Sequence, residues 1–274
     1  METLKYSFRV DCWIPFHEIN SGVIVKKFLS GFDAVFGSHR IFFTINELNL
    51  HPMSILIPVA VLKSVDEGDE ISFNSKILIV RNFRIFPEKI IDVIAKPDKA
   101  VVQFLPENIK LIRKDIKLFG KQSEVCKASF DCLNRENQHN DRLYDCLPRF
   151  KDAIINKSLN LSDFSDLIGY GEGLTPSFDD FCTGVLLADR FSNNNFINIY
   201  DNFWNIAEKK TTWQSIQQLK FAQVGLLSLA FEIFMKKLMS KQLKSSEIIK
   251  LFDYGHFSGT DILAGVCFYL NLLC

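Results

Sequence analysis

The chain has 274 residues, with 32 basic against 32 acidic side chains and a formal net charge of zero. A dedicated nucleic-acid binder carries a basic excess, so that class is set aside. A composition of 47% apolar and 23% charged residues is globular rather than disordered.

No run approaches the ~20 apolar residues of a membrane span; Met53–Leu62 and Val224–Phe231 are short or soon interrupted by charge. Met1–Ser7 lacks a basic stretch ahead of an apolar core, so no secretion signal is expected. The seven cysteines are odd in number and lack Cys-x-x-Cys spacing. They read as reduced thiols, with neither disulfides nor zinc, and a cytoplasmic location is expected.

In chain order, residues 4–10, 40–45, 54–61, 76–81 and 101–105 are short β-branched or aromatic runs bounded by Gly, Pro, Asn or Asp. Asp66-Glu67-Gly68-Asp69 is a turn signal between two of them. No helix-period segment intervenes, which argues for an antiparallel barrel or sandwich rather than a parallel βαβ sheet.

After Pro106 the period changes. Ile109, Ile112, Ile116 and Phe119 recur at helical spacing, with Lys110, Arg113, Lys114, Lys117 and Lys121 on the opposite, solvated face. Further helices are predicted near 139–156, 176–191, 195–210, 212–239, 245–253 and 259–273. The fold class expected is α+β: a β-rich domain over 1–105 and an α-helical domain over 106–274.

The most informative stretch is Gly169-Tyr170-Gly171-Glu172-Gly173-Leu174-Thr175-Pro176-Ser177-Phe178-Asp179-Asp180, leading to Gly184. Alternate glycines permit backbone conformations that other residues resist and let a ligand approach the main chain. Thr175 followed by Pro176 reads as an N-cap with proline at the first helical position, and the first turn then offers N–H groups to an anion. This is neither a Rossmann fingerprint nor a P-loop. The plain alternative is a well-capped helix with an acidic first turn.

An echo follows in Gly255-His256-Phe257-Ser258-Gly259-Thr260-Asp261, leading to Gly265. Ser177-x-x-Asp180-x-x-x-Gly184 and Ser258-x-x-Asp261-x-x-x-Gly265 share one spacing, resembling two capping boxes. The starts of these helices are expected to lie together, with Thr175 close to Ser258. Between them, the Thr212 and Ser215 hydroxyls lie three apart, fit either to donate to a ligand or to cap the next helix. His256, Ser258 and Asp261 have the residue types of a hydrolytic triad, but six residues around a helix start are too crowded for relay geometry.

Taken together, the Gly-x-Gly-x-Gly-Leu-Thr-Pro-Ser-x-Asp-Asp segment, Thr211-Thr212-x-x-Ser215 and Gly255-His256-x-Ser258-Gly259-x-Asp261 resemble the AllH-type subunit of oxamate carbamoyltransferase. The likeness covers about 169–265, and Phe178 departs from the family's frequent glycine. The resemblance implies a multi-subunit enzyme of allantoin breakdown, in which oxalurate and phosphate interconvert with oxamate and carbamoyl phosphate. Partners would then be the other subunits and one of these small anions, with no nucleic acid and no membrane.

In a carbamoyl-transfer subunit, Asp179, Asp180 and Asp261 are the candidate catalytic groups. Gly171, Gly173, Thr175, Ser177, Thr212, Ser215, His256, Ser258 and Gly259 would bind substrate, with Lys209 or Lys210 as cation. No metal site or cofactor is assigned, magnesium being the ion the aspartates would suit. The alternative is a noncatalytic binding or scaffold subunit, which the scarcity of basic residues in the glycine motifs favours. As exposed caps, Asp180 and Asp261 are expected to be removable at little cost in stability.

Overall fold

The short apolar runs of the first ninety residues form strands in the computed structural model, which describes residues 4–91, 104–134, 142–239 and 243–273. In chain order these are β1 (Leu4–Arg9), β2 (Ser21–Phe28), β3 (Gly31–Phe36), β4 (His39–Thr44) and β5 (Ser54–Leu56). After the short helix α1 (Val59–Ser64) come β6 (Glu70–Asn74), β7 (Ile77–Val80) and β8 (Phe83–Ile91). They close into a barrel in the order β1-β5-β4-β3-β2-β6-β7-β8.

Most neighbours are antiparallel, as the sequence predicts, but β4–β5 and the closing β1–β8 pair are parallel. Alternation fills the interior: Phe32, Ala34 and Phe36 from β3 face Ile41 and Phe43 from β4, all of them buried. Phe32 and Phe43 are cross-strand partners whose rings stack at 4.8 Å. Such pairs are the unit of sheet stabilisation.

The predicted strand 54–61 is corrected. It ends at Leu56, and Pro58 precedes α1, whose Val61 and Leu62 are buried. Proline withholds a ladder donor while its fixed φ suits a helix entry. Of the predicted strand 101–105, residues 101–103 lie outside the described residues, and Phe104 and Leu105 belong to no strand.

The helices that follow are α2 (Pro106–Phe119), α3 (Glu124–Asn134), α4 (Arg142–Ile155), α5 (Ser177–Phe191), α6 (Asp201–Lys210), α7 (Trp213–Gln223), α8 (Leu229–Leu238), α9 (Ser245–Ile249) and α10 (Ser258–Leu273). Ile109, Ile112 and Ile116 are buried along α2 as patterned, but Phe119 at its end is exposed. The helix α3 lies outside the predicted helices.

Three predicted helices are shorter than expected. Residues 195–200 are not helical: Asn193 and Asn195 take positive φ, and Asn198 bridges Asn160. The run 212–239 breaks after Gln223, where Gly225 has φ +75° and the Leu227 N–H turns to Glu232 at 2.9 Å. The helix predicted over 245–253 ends at Ile249 and tightens into a 3₁₀ turn. Residues 139–141 of the helix predicted over 139–156 lie outside the described residues.

The chain divides into two compact units, Met1–Ala95 with Ser228–Ala230, and Lys96–Leu227 with Phe231–Cys274. At the centre of the second unit run α5, buried throughout except Arg190, and α10, buried from Ser258 to Leu270. Their crossing is reciprocal. A Cβ on Gly184 would meet the Ile262 carbonyl oxygen at 1.9 Å, and one on Gly265 would meet the Phe181 carbonyl oxygen at 2.0 Å. Among the described residues, no helix is long and apolar enough to cross a membrane.

Candidate functional site

The close crossing of α5 and α10 brings their N-termini together beneath the glycine segment. Gly169, Gly171 and Gly173 have φ of +82°, +112° and +101°, a region costly to any residue with a Cβ. At Gly169 a Cβ would also meet the Lys210 carbonyl oxygen at 2.1 Å. The alternate glycines therefore answer to the path of the backbone itself.

Thr175 is not the cap of α5, contrary to the sequence reading. Pro176 takes the capping position, at φ −56° and ψ 145°, with no side-chain cap bond. The Thr175 hydroxyl is thereby free for another partner, and it lies 2.8 Å from Ser258 Oγ at the start of α10. This is the juxtaposition that the repeated spacing predicts.

Two more helix starts reach the same place. Ser123 accepts the Cys126 N–H at 3.1 Å to cap α3, and donates to Asp261 Oδ1 at 2.5 Å. Thr212 accepts the Ser215 N–H at 3.2 Å to cap α7, and donates to the Leu174 carbonyl of the glycine loop. Tyr170, also on the loop, donates to Glu124 in the first turn of α3 at 2.7 Å. The starts of α3, α5, α7 and α10 thus surround one loop. Each contributes the positive end of a helix dipole.

Below the hydroxyls lie the three aspartates, with Asp179 1%, Asp180 0% and Asp261 0% exposed. Asp179 accepts the Gly169 N–H at 2.9 Å and the Thr211 hydroxyl. Asp180 Oδ1 accepts the Gln218 side-chain N–H at 2.7 Å, while its Oδ2 and that of Asp261 have no hydrogen-bond partner. The capping-box reading is therefore corrected: neither Asp180 nor Asp261 is an exposed cap. Each is turned inward to a side chain of another helix.

Burial raises all three carboxyls. Asp261 is pushed up to about 7, with Ser123 and Ser177 pulling the other way. Burial holds Asp180 well above the usual carboxylate range, and the Asp261 charge adds to the rise against Ser258, Gln218 and Thr175. Asp179 is raised by burial and restrained by Thr211, the Gly169 N–H and Ser215. A cross-helix pattern results, with Ser258 beside Asp180 and Ser177 beside Asp261.

Of the predicted binding residues, Gly171, Gly173 and His256 are exposed and Thr175 and Thr212 half-buried. Ser177, Ser215, Ser258 and Gly259 are buried. Gly259 has a packing role, since a Cβ there would meet the Leu251 carbonyl oxygen at 1.8 Å. His256 sits edge-on to Phe257 at 4.4 Å, at the surface, whereas Asp261 is fully covered.

Lys210, a predicted cation, bonds Asp166 and the Ser165 carbonyl, each at 3.1 Å. Phe178, where the family often has glycine, points into the core beside Phe150, ring centres 6.0 Å apart. Among the described residues no group of three or more His, Cys, Asp or Glu side chains is arranged to hold a metal ion.

Sequence reasoning missed Ser123 and Gln218. A serine just before Glu124 at a helix start is a recognisable capping signal, but nothing in a lone glutamine inside α7 marks it as a carboxylate partner. The first unit has a separate groove of about 780 Å³, lined among others by Ser21, Glu70, Ser72 and Arg81. None of the predicted site residues lines it.

The loop sets hydroxyl groups among helix starts, where backbone N–H groups and helix dipoles favour negative charge. Residues 167–270, which hold that loop and both of its central helices, match the family model for oxamate carbamoyltransferase subunit AllH. Over this stretch the chain is similar to the family that its motifs resemble. No solved structure matches the chain.

Proposed function

We propose that this chain serves as a subunit of an oxamate carbamoyltransferase, binding a small anion at the glycine loop in carbamoyl transfer between carbamoyl phosphate and oxamate. The observation that carries the reading is the meeting of four helix starts around Gly169–Pro176, with Thr175 and Ser258 hydroxyls 2.8 Å apart between two of them. Preorganised N–H and hydroxyl donors are what a carboxylate, a phosphate or a developing oxyanion requires. Burial raises the three carboxyls below, which lessens the charge they set against an anion. The reaction belongs to allantoin breakdown, a cytoplasmic process, and the other subunits of the complex are the chain's partners.

The loop and its caps supply donors but no arginine, and Lys210 is held by Asp166. That favours a division of labour in which this subunit binds and orients the anion, while cations for the phosphate come from a partner subunit. A noncatalytic binding subunit is the limiting form of this reading. Magnesium, if the assembled enzyme uses it, would be held with groups from elsewhere.

The test is carbamoyl transfer by the chain assembled with its partner subunits, comparing wild type with Thr175→Val. We expect kcat/KM to fall at least about tenfold, the scale of one lost donor to a charged group, with the melting temperature nearly unchanged. A change confined to KM assigns the subunit to binding, and a change in kcat to the chemical step. Unaltered kinetics in Thr175→Val and in Thr212→Val would move the site away from this loop.

A further inference from the structure

Helix α2 packs against α10 and buries Ile109, Ile112 and Ile116. On its outer face Lys110, Lys114 and Lys117 recur at helical spacing, and Lys121 follows just past the helix end; all four are exposed. None of the four makes an ion pair or hydrogen bond with a described residue. Glu107, three residues before Lys110, does not pair with it either. The neighbouring Arg113 is already engaged, donating to Asn134 and lying 5.6 Å over the Phe130 ring. Beside the lysines, Leu118 is 59% exposed, Phe119 is 56% exposed and Leu111 is half-buried.

A helix face that meets only water gains from acids placed three or four residues from its lysines. This face instead sets Lys110 against Lys114, and Lys114 against Lys117, so that like charges repel. The helix dipole favours Lys117 in the last turn but does nothing for Lys110 or Lys114. The chain as a whole is neutral, so the stripe is a local excess of positive charge that the described residues leave uncompensated.

We propose that the outer face of α2 is a docking surface for an acidic partner subunit, whose carboxylates meet Lys110, Lys114, Lys117 and Lys121 and whose apolar residues cover Leu118 and Phe119. The inference rests on the reading of the chain as one subunit of a complex and says where another subunit sits. Apolar residues ringed by polar ones are the anatomy of a protein interface, and complementary charge steers the encounter. A membrane-surface helix would need a longer apolar stripe than Leu111, Leu118 and Phe119 provide.

The position suits the division of labour proposed above. From Phe119 the chain passes through Gly120 to Ser123 and Glu124, which bond Asp261 at 2.5 Å and Tyr170 of the glycine loop at 2.7 Å. A subunit seated over Lys117 and Lys121 is thus a few residues of chain from the loop, where it can bring the cations that the loop lacks.

The experiment uses the chain assembled with the other oxamate carbamoyltransferase subunits. Carbodiimide joins a lysine amine directly to a carboxylate with no spacer, so it reports lysine–acid contacts. We expect mass spectrometry to find Lys114 or Lys117 joined to an Asp or Glu of another subunit. The double variant Lys114→Glu with Lys117→Glu should associate at least about tenfold more slowly, because reversed charge repels the encounter. Its melting temperature as an isolated chain should be unchanged or higher. Lys236→Glu, at an exposed lysine of α8, should associate as wild type does. Raising the salt from about 0.1 to 1 M shortens the screening length from about 10 to 3 Å, which should slow the wild type and leave the double variant nearly level.

Equal association of wild type and double variant, or no cross-link from any of the four lysines to another subunit, would overturn the docking surface and leave the subunit reading standing. A wild type that joins none of those subunits overturns both. Self-association of the chain, or retention on phosphatidylglycerol vesicles, that the double variant abolishes would give the face another occupant and overturn the proposal.

Discussion

Asp261 ties the stability of the second unit to pH. Its carboxyl titrates at about 7 in the fold against an ordinary 3.8, so between those values the folded protein holds a proton that the unfolded chain has lost. The sign follows: this contribution is full below about pH 4 and is lost as pH rises to about 7, by up to ~4 kcal/mol. Asp261→Asn removes that dependence. Melting temperatures at pH 5 and pH 8 should differ by several degrees more in wild type than in the variant, and equal differences would show that Asp261 titrates normally.

Ser123→Ala removes the hydrogen bond to Asp261 and the cap of α3 together. A loss of about 1–3 kcal/mol in urea unfolding is expected. At this scale the sequence was most legible where a pattern repeats. Ser177, Asp180, Ser258 and Asp261 stood out because one spacing occurs twice. Their burial did not, because a Ser-x-x-Asp at a helix start looks the same whether its acid faces water or another helix.

Between elements, the reciprocal contact of α5 and α10 is the tightest constraint. Gly184→Ala or Gly265→Ala would drive a methyl into a backbone carbonyl of the facing helix, and neither main chain can yield without separating the pair. Each should cost 3 kcal/mol or more, beyond the usual range of overpacking at flexible side chains. Gly173→Ala offers the contrast. It has open space around its Cβ position, φ +101°, and an expected cost of about 1 kcal/mol from conformation alone. Chemical denaturation of the three variants checks the ranking.

Helix positions were readable from the sequence because α5 and α10 begin with strong start signals and bury nearly every side chain. The strands were harder. In β2 only Ile24 is fully buried, Val23 and Val25 beside it are exposed, and Lys26 and Lys27 follow. Such an outward-looking strand has no apolar alternation to detect. The break between α7 and α8 escaped notice because apolar residues continue through it.

For the whole molecule, the notable fact is that Ser228–Ala230, which includes the first two residues of α8, belongs with the barrel. The Leu229 N–H donates to the Leu50 carbonyl at 2.9 Å, and its side chain packs with Leu50 and Ile91. Sequence alone suggested two consecutive segments. A three-residue return cannot be seen in composition or period, since Leu229 there looks like any residue of an amphipathic helix. Leu229→Ala should destabilise the barrel by about 2–4 kcal/mol, read from hydrogen exchange of the β4 and β5 amides. Unchanged exchange there would mean that Leu229 contributes nothing to the barrel.

This return has a consequence for synthesis on the ribosome. The barrel's strands are all made by residue 91, yet the leucine that packs on Leu50 and Ile91 lies at position 229. At roughly 5–20 residues per second, the ribosome needs on the order of ten to thirty seconds to reach it. During that interval the nascent barrel lacks the side chain that packs on Leu50 and Ile91, and among the described residues the Leu50 carbonyl has only the Arg9 guanidinium, at 3.4 Å, as donor. A pause or truncation anywhere between would leave a first unit whose final packing partner never arrives.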